Sequence, residues 1–365
     1  VNQLLNLFEF ERAAEAALDP MAWRYFQAGA GDERTLRANR EAFERCRLLP
    51  RVLADVGRRS LATTVLGRAA DWPVLVAPMA FHGLACAEGE CATARAAAAT
   101  GTVMVVSTMA NIALEEVRGA APAARQWFQL YVQRDRGLTA ELVARAAAAG
   151  YEALVVTVDA PVLGRREGDL RHGFRLPPHL RPGNLAYDDA ALLGEARDAH
   201  SALAAQFSAS TDPSVSWRDV GWLRSLSPLP IVLKGLLHPD DARRAAEEGV
   251  AAVVVSNHGG RQLDGAVAAL DALPAVAAAA GDRLEVLMDG GIRRGTDVLV
   301  ALALGARAVL VGRPVLWGLA VGGEDGARRV LSLLRGELDL ALALTGCTSP
   351  AAITADLLAP LTRPG

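Results

Sequence analysis

Residues 285–313 read EVLMDGGIRRGTDVLVALALGARAVLVGR. The stretch opens on one apolar run, EVLMDG (285–290), and closes on another, AVLVGR (308–313). Between them GTDVLVALALG (295–305) reads as a helix that stops at a glycine. Neither run alternates polar with apolar residues, so both faces of each strand should be buried. Strand, helix and strand in so short a span make a parallel crossover unit.

The same unit recurs outward from this stretch. Further apolar runs are VLVAP (74–78), TVMVVS (102–107), RQWFQLY (125–131), ALVVTVD (153–159), PIVLKG (230–235) and AAVVVSN (251–257). Helix-like segments fill most gaps. TAELVARAAAAG (139–150) offers Thr139 as N-cap and Gly150 as stop, and HPDDARRAAEEG (238–249) carries Asp in its first turn. Eight strands alternating with helices predict a (β/α)8 TIM barrel, with an open doubly wound sheet as the runner-up. The count of eight and the polar residues at the strand ends favour the barrel. Residues 1–70 read as a largely helical N-terminal cap and 71–345 as the barrel, all within a single domain, 1–365. A long loop after the fourth strand, 165–215, holds LPPHLRPGNLAYDD and SASTDPSV and is expected to be a mobile lid.

Composition narrows the function classes. With 365 residues and 52% hydrophobic content the chain can build a large core. A net charge of −3, with Lys and Arg dispersed, gives no reason to expect nucleic acid or a membrane surface as partner. Cys46, Cys86, Cys91 and Cys347 form no CxxC pair and no zinc spacing, so reduced thiols and no metal site are expected. The first residues lack a basic start and a cleavage site, and no apolar run reaches the ~18 residues of a membrane span. A soluble, cytoplasmic protein is expected.

Barrel enzymes draw their catalytic groups from strand C-termini. Here those ends carry Pro78-Met79-Ala80, Ser107-Thr108-Met109, Gln129-Leu130-Tyr131 and Thr157-Val158-Asp159 followed by Arg166. The later ends carry Lys234, Ser256-Asn257-His258 with Arg261, Asp289-Gly290-Gly291 with Arg293, and Gly312-Arg313. His258 and Asp159 suit a base with an orienting carboxylate. Arg166 and Arg261 suit a carboxylate clamp. The glycines and arginines of the last two strands suit a phosphate site. Lys234 fits either a Schiff base or the support of an anionic cofactor, and nothing local decides between them. Each feature also has a bland reading as a hydrogen-bonding histidine, a surface-paired arginine or an ordinary turn. The concentration of functional side chains at all eight ends outweighs those readings.

SNHGGRQLD (256–264) closely resembles the active-site signature of the FMN-dependent 2-hydroxy acid oxidases and dehydrogenases. That family includes glycolate oxidase, lactate oxidase and mandelate dehydrogenase. The resemblance runs from Tyr25 to Cys347 through YFQAGAGDERTL, APMAFHGLA, FQLYVQRDR, TVDAPVLGRREGDLR, LKGLLHPDDARRA, the stretch quoted first, and ALTGC. It implies an FMN-binding TIM barrel. It implies that His258 takes the proton from the substrate hydroxyl or its α-carbon, with Asp159 orienting it. Arg261 and Tyr25 are implied as carboxylate ligands, with Arg166 assisting, and Tyr131 as partner of the substrate hydroxyl. Lys234 is implied beside the flavin ring, which favours electrostatic support over a Schiff base. Ala80 is implied as a backbone neighbour of the ring, flanked by Pro78 and Met79. Ser107, Gln129, Thr157 and Ser256 are implied as its polar neighbours. Asp289, Gly290, Gly291, Arg293, Gly312 and Arg313 are implied as holders of the ribityl chain and phosphate.

Two positions depart from the glycolate oxidase pattern. Met109 stands where that enzyme has tryptophan, and Met79 where threonine is common. Both argue for a larger apolar substrate, against the bland reading that they merely pack. GRREGDLRHGFRLPPHLRPGNL looks most like the 4-hydroxymandelate oxidase branch. The expected activity is oxidation of an (S)-2-hydroxy acid, bulky or aromatic such as mandelate or 4-hydroxymandelate, with O2 reduced to H2O2 and a homotetramer as the assembly. The alternatives are a dehydrogenase passing electrons to a quinone or cytochrome, a non-oxidase FMN barrel such as an isomerase, and a non-catalytic barrel.

Overall fold

The computed structural model describes residues 1, 3–171, 174–185 and 207–359. Eight parallel strands close a barrel: β1 (Val74–Val76), β2 (Val103–Ser107), β3 (Gln126–Leu130), β4 (Leu154–Thr157), β5 (Ile231–Leu236), β6 (Ala252–Val255), β7 (Glu285–Asp289) and β8 (Ala308–Val311). They pair in chain order, and β8 closes the ring against β1. Each of the eight apolar runs is a barrel strand, so the expected (β/α)8 architecture is the observed one.

The period-2 geometry of a strand sorts every run into two faces. Leu75, Val103, Val105, Trp127, Val155, Val232, Val254, Leu287 and Leu310 pack together inside the barrel. Val74, Val76, Met104, Phe128, Leu154, Leu233, Val253, Met288 and Val309 belong to the outer core beneath the helices. The inward parity continues upward to Met79, Ser107, Gln129, Thr157, Lys234, Ser256 and Asp289. Apolar residues therefore fill the barrel, and polar ones of the same parity floor its mouth. A hairpin, Thr63–Val65 with Arg68–Ala70, plugs the other end, where Val65 and Ala70 join the inner apolar cluster.

The cap is helical only in part. Helices Leu7–Ala17, Pro20–Gln27 and Arg34–Arg45 lead the chain, but residues 46–70 hold the hairpin and irregular segments. Leu7–Ala17 packs on the long C-terminal helix Arg313–Thr345. The helix expected to open at Thr139 starts earlier, at Arg136. Asp135 caps it, accepting from Gly137 N and Leu138 N at 2.8 and 3.2 Å. Thr139 is buried within the helix and accepts from Gln133 N at 2.9 Å. An acidic side chain at the boundary supplies the stronger cap.

The connection after β4 is pinned where it is described. Asn184 accepts from Leu114 N at 2.8 Å and donates to Ser107 O and Thr108 O at 3.2 and 3.3 Å. Arg136 holds the far end through Asp212 (2.6 Å) and Asp219 (2.9 Å). The middle of the expected lid, 186–206, lies outside the described residues.

Candidate active site

Strand ends and the cap converge on one cavity at the C-terminal mouth of the barrel. Its lining includes Tyr25, Pro78, Met79, Ala80, Ser107, Met109, Gln129, Tyr131, Thr157, Arg166, Lys234, His258 and Arg261. Asp289, Gly290, Gly291, Arg293, Gly312 and Arg313 complete one side. Two anticipated residues stand behind the lining. Asp159 lies beyond the His258 ring, and Ser256 is fully buried beneath it. Ser256 Oγ accepts from His258 N at 3.0 Å and from Lys234 Nζ at 3.2 Å, so it supports other groups.

The histidine sits where backbone geometry is unusual. His258 has φ 59°, a left-handed conformation that costs a β-carbon-bearing residue free energy. Neighbouring side chains hold the turn. Asn257 accepts from Gly260 N at 3.1 Å and exchanges amide bonds of 2.8 and 2.9 Å with Asn39 of the cap. Gly260 lies so close to the cap that a Cβ there would fall 2.6 Å from Leu36 Cα. His258 Nδ1 meets Asp159 Oδ1 at 2.9 Å. Gly235 makes room for that carboxylate: its φ is 117°, the β5–β6 register shifts there, and a Cβ would lie 2.5 Å from Asp159 Cβ.

Electrostatics fix the protonation states. Burial acts against the Asp159 charge, but His258, Lys234 and its own backbone N–H overcome it and hold the carboxyl below its ordinary range. Burial is the largest influence on His258 and pushes its pKa down; Asp159 offsets this in part, while Lys234 and Arg166 push further down. The pair is thus an ionised carboxylate and a neutral imidazole at neutral pH. Nδ1–H donates to Asp159, which leaves the Nε2 lone pair free for a proton. Burial alone would depress Lys234, yet Asp289 (Nζ–Oδ2 3.1 Å) and Asp159 keep it charged. A permanently protonated amine is a poor nucleophile, so the Schiff-base option falls away. Burial raises the Tyr131 pKa, and the nearby Asp159 charge raises it further, so its hydroxyl remains a donor.

Four guanidinium groups gather around the cavity. Burial lowers the Arg261 and Arg293 pKa values to about 10, with Arg166 adding to the shift at Arg261, and both stay charged. Burial lowers Arg313 well below its usual value, and Arg261, Arg293 and Arg166 lower it further. Arg261 donates to Ala28 O at 2.6 Å and lies over the Tyr25 ring, 5.3 Å from its centroid. Arg313 donates to Phe26 O at 2.9 Å and Gly259 O at 3.1 Å. Among the described residues none of the four makes an ion pair with a carboxylate. Positive charge so concentrated and unbalanced calls for anionic ligands.

The sequence reading missed several groups. Phe81, Leu163, Phe207 and Leu316 also line the cavity. Phe207 stands edge-on to Tyr131 with centroids 5.0 Å apart. Gln262 donates to Asp159 O and Val162 O at 2.9 Å each and so ties the β4 loop to the β6 loop. Gln262 and Asn257 both lie within the signature, where their polarity was visible. Asn39 and Phe207 gave no comparable signal.

Residues 14–360 match the FMN-dependent dehydrogenase family. The chain belongs to that family. An L-lactate oxidase from Nostoc sp. is 55% identical over 95% of this chain and 96% of its own length. Glycolate oxidase 3 of Oryza sativa subsp. indica is 48% identical, covering 96% and 95%. A solved mandelate oxidase with (S)-4-hydroxymandelic acid superposes with a TM-score of 0.92 at 44% identity, covering 98% of both chains. This family member is therefore an FMN-dependent oxidoreductase, and oxidation of a 2-hydroxy acid is its chemistry. Its cavity suits that cofactor. Arg293 and Arg313 offer uncompensated positive charge to a phosphate, and Asp289 keeps a buried Oδ1 without a partner, ready for a hydroxyl donor. The described helices include none long and apolar enough to cross a membrane.

Proposed function

We propose that this FMN-dependent 2-hydroxy acid oxidase acts on (S)-2-hydroxy acids with a bulky apolar side chain, mandelate and 4-hydroxymandelate foremost. The observation that carries the reading is the His258–Asp159 pair, 2.9 Å apart, bordering the same cavity as Arg261, Arg166 and Tyr25. A base and a carboxylate clamp facing one space are what a small hydroxy acid anion requires.

In this reading Arg261, Tyr25 and Arg166 bind the substrate carboxylate and fix the orientation of its α-carbon. Tyr131 donates to the substrate hydroxyl. His258 Nε2 takes the proton from the hydroxyl or from the α-carbon, and Asp159 stabilises the imidazolium that results. Gly290, Gly291, Arg293, Gly312 and Arg313 would hold the FMN phosphate end, Asp289 the ribityl chain, and Pro78, Met79, Ala80, Ser107, Gln129 and Thr157 the ring. Bound there, FMN would supply the two-electron acceptor for the substrate C–H bond, with O2 as the final oxidant. Lys234, charged and buried, would support negative charge on that cofactor.

Apolar residues Met109, Leu163 and Phe207 also line the cavity and would face the substrate side chain. Thioether side chains adapt to a ring where a fixed tryptophan would not. The 44% identity with mandelate oxidase supports the aromatic reading. A second reading, lactate, draws on the 55% identity with L-lactate oxidase and on Phe207, which narrows the space beside Tyr131. Anaerobic flavin reduction by (S)-2-hydroxy acids of graded size separates the two. Faster bleaching with (S)-mandelate than with (S)-lactate supports the aromatic reading; the reverse order selects lactate. Reoxidation in air with H2O2 release is expected, and failure to reoxidise would indicate another electron acceptor.

A further inference from the structure

The turn that carries the histidine also carries a side chain to which neither the family resemblance nor the proposed mechanism assigns a role. Gln262 follows His258 by four residues. The turn between them is closed by Gly260 N donating to Asn257 O at 3.1 Å and Arg261 N donating to His258 O at 3.3 Å. The Gln262 amide reaches across to the loop after β4. Its Nε2 donates to Asp159 O and to Val162 O at 2.9 Å each, and its Oε1 accepts from Gly164 N at 3.0 Å. A primary amide is the side chain that offers two N–H donors and an acceptor oxygen together. The bonds bracket the stretch that leads from Asp159 to the cavity-lining Leu163.

Asp159 depends on that support. The chain leaves the barrel ladder just before it, where Val158 N donates to Lys234 O at 2.9 Å. Its carboxylate meets His258 through Oδ1, while Oδ2 is buried and has no hydrogen-bond partner. No bond to that second oxygen fixes the group, so the backbone that Gln262 holds must place it. The fit is tight on both sides. A Cβ on Gly235 would lie 2.5 Å from Asp159 Cβ, and one on Gly164 would lie 2.4 Å from Arg261 O. The two loops thus touch backbone to backbone. A slip between them would move the carboxylate off the imidazole, and a hydrogen bond weakens steeply as its angle and length depart from ideal.

We propose that Gln262 is a positioning residue for the base: it locks the β4 loop to the His258 turn in the register that sets Asp159 Oδ1 against Nδ1. One turn then delivers both the base and the clasp that holds the base's partner. Gln262 touches none of the reacting atoms and acts through the orientation of Asp159. The inference rests on the reading of His258 and Asp159 as base and orienting carboxylate.

The test is anaerobic stopped-flow reduction of the FMN-loaded enzyme by (S)-mandelate and by (S)-lactate, with the Kd for pyruvate measured beside it. Gln262→Glu keeps the shape but turns an ionised oxygen toward two carbonyls. The saturated rate of flavin reduction should fall about 10²-fold, the order expected when a group that orients the chemistry is misplaced. The pyruvate Kd should stay within about threefold, because Arg261 keeps its own anchor at Ala28 O. In Asp159→Asn the pair is already broken, so adding Gln262→Glu should slow reduction by less than about twofold more. Equal fold losses in the two backgrounds mark a merely structural role and overturn the proposal. A loss confined to the Kd overturns it too, as does a Gln262→Glu enzyme reduced at the normal rate. Should Gln262→Glu fail to fold, Gln262→Met, of similar length and uncharged, takes its place in the same cycle with the same outcomes. Asp159→Asn alone separates the two readings. Reduction untouched by Asp159→Asn defeats the base pair itself, whereas reduction slowed there with Gln262→Glu silent or independent defeats only the present inference.

Discussion

His258 is where local strain and chemistry meet. Its left-handed backbone aims the imidazole at Asp159, and Asn257 and Ser256 hold the turn that allows this. His258→Gln should keep FMN bound but slow flavin reduction by roughly 10²–10⁴-fold, the usual worth of a general base; anaerobic stopped-flow bleaching measures it. The pH dependence follows from the sign of the shift. A depressed histidine pKa keeps the base neutral down to slightly acidic pH, so reduction should be flat through neutrality. It should fall only as pH drops below the ordinary histidine value of about 6.5, and a profile still rising at alkaline pH would contradict this. Met109 lines the cavity 5% exposed, and its backbone N–H is fixed to Ser107 Oγ at 3.1 Å. Met109→Trp should therefore fill the side-chain end and impair bulky acids more than small ones, as a ratio of kcat/KM values between mandelate and lactate.

At the scale of elements, the cap and the catalytic turn are fastened together. Helix Arg34–Arg45 has no cap from its own chain neighbours, since Glu33 is left-handed and makes no capping bond. Asp264 replaces it from the β6 loop, accepting from Thr35 N and Asp32 N at 2.9 Å each. The last residue of the signature thus docks the helix whose Asn39 holds Asn257. Asp264→Ala should cost about 1–2 kcal/mol, as lost N-caps do, and should also raise KM by disturbing Arg261. Denaturant unfolding and steady-state kinetics check the two halves. Much of this level was legible in the sequence: all eight strands and most helix stops follow from apolar runs and glycines. The start at Arg136 is not the one expected, because Asp135 and Thr139 are both residue types that cap helices. The joint between Asn39 and Asn257 was out of reach, since hydrogen bonding across 218 positions leaves no periodic trace.

For the whole molecule, the unbalanced arginines link cofactor, cap and stability. Arg313 already ties the cap helix Pro20–Gln27 to Gly259, and a bound phosphate would add its charge to the same joint. A ligand that binds only the folded state stabilises it by about 2.7 kcal/mol at a hundredfold excess over Kd. Removing FMN should therefore lower Tm by several degrees, inorganic phosphate should restore part of the loss, and Arg313→Met should abolish that restoration. Scanning calorimetry of apoprotein with and without phosphate is the measurement. The homotetramer stays an expectation; Val52, Leu53, Leu340 and Leu344 are each more than half exposed and are available to an interface. Sedimentation of the 38.3 kDa chain as a monomer would remove that expectation.

The sequence by itself determined the barrel, because strand periodicity and burial on both faces are written locally in runs such as AVLV and EVLMD. It also determined which residues stand at the strand ends, and the resemblance of SNHGGRQLD supplied their expected roles. The tertiary structure decided what those residues are to one another. It placed Asp159 behind His258 in the space left by Gly235, put Ser256 under the site instead of along it, joined Asn39 to the catalytic turn and brought Phe207 to the mouth. Those relations arise from contacts between segments far apart in the chain, where packing, charge and desolvation act together and no local pattern records them.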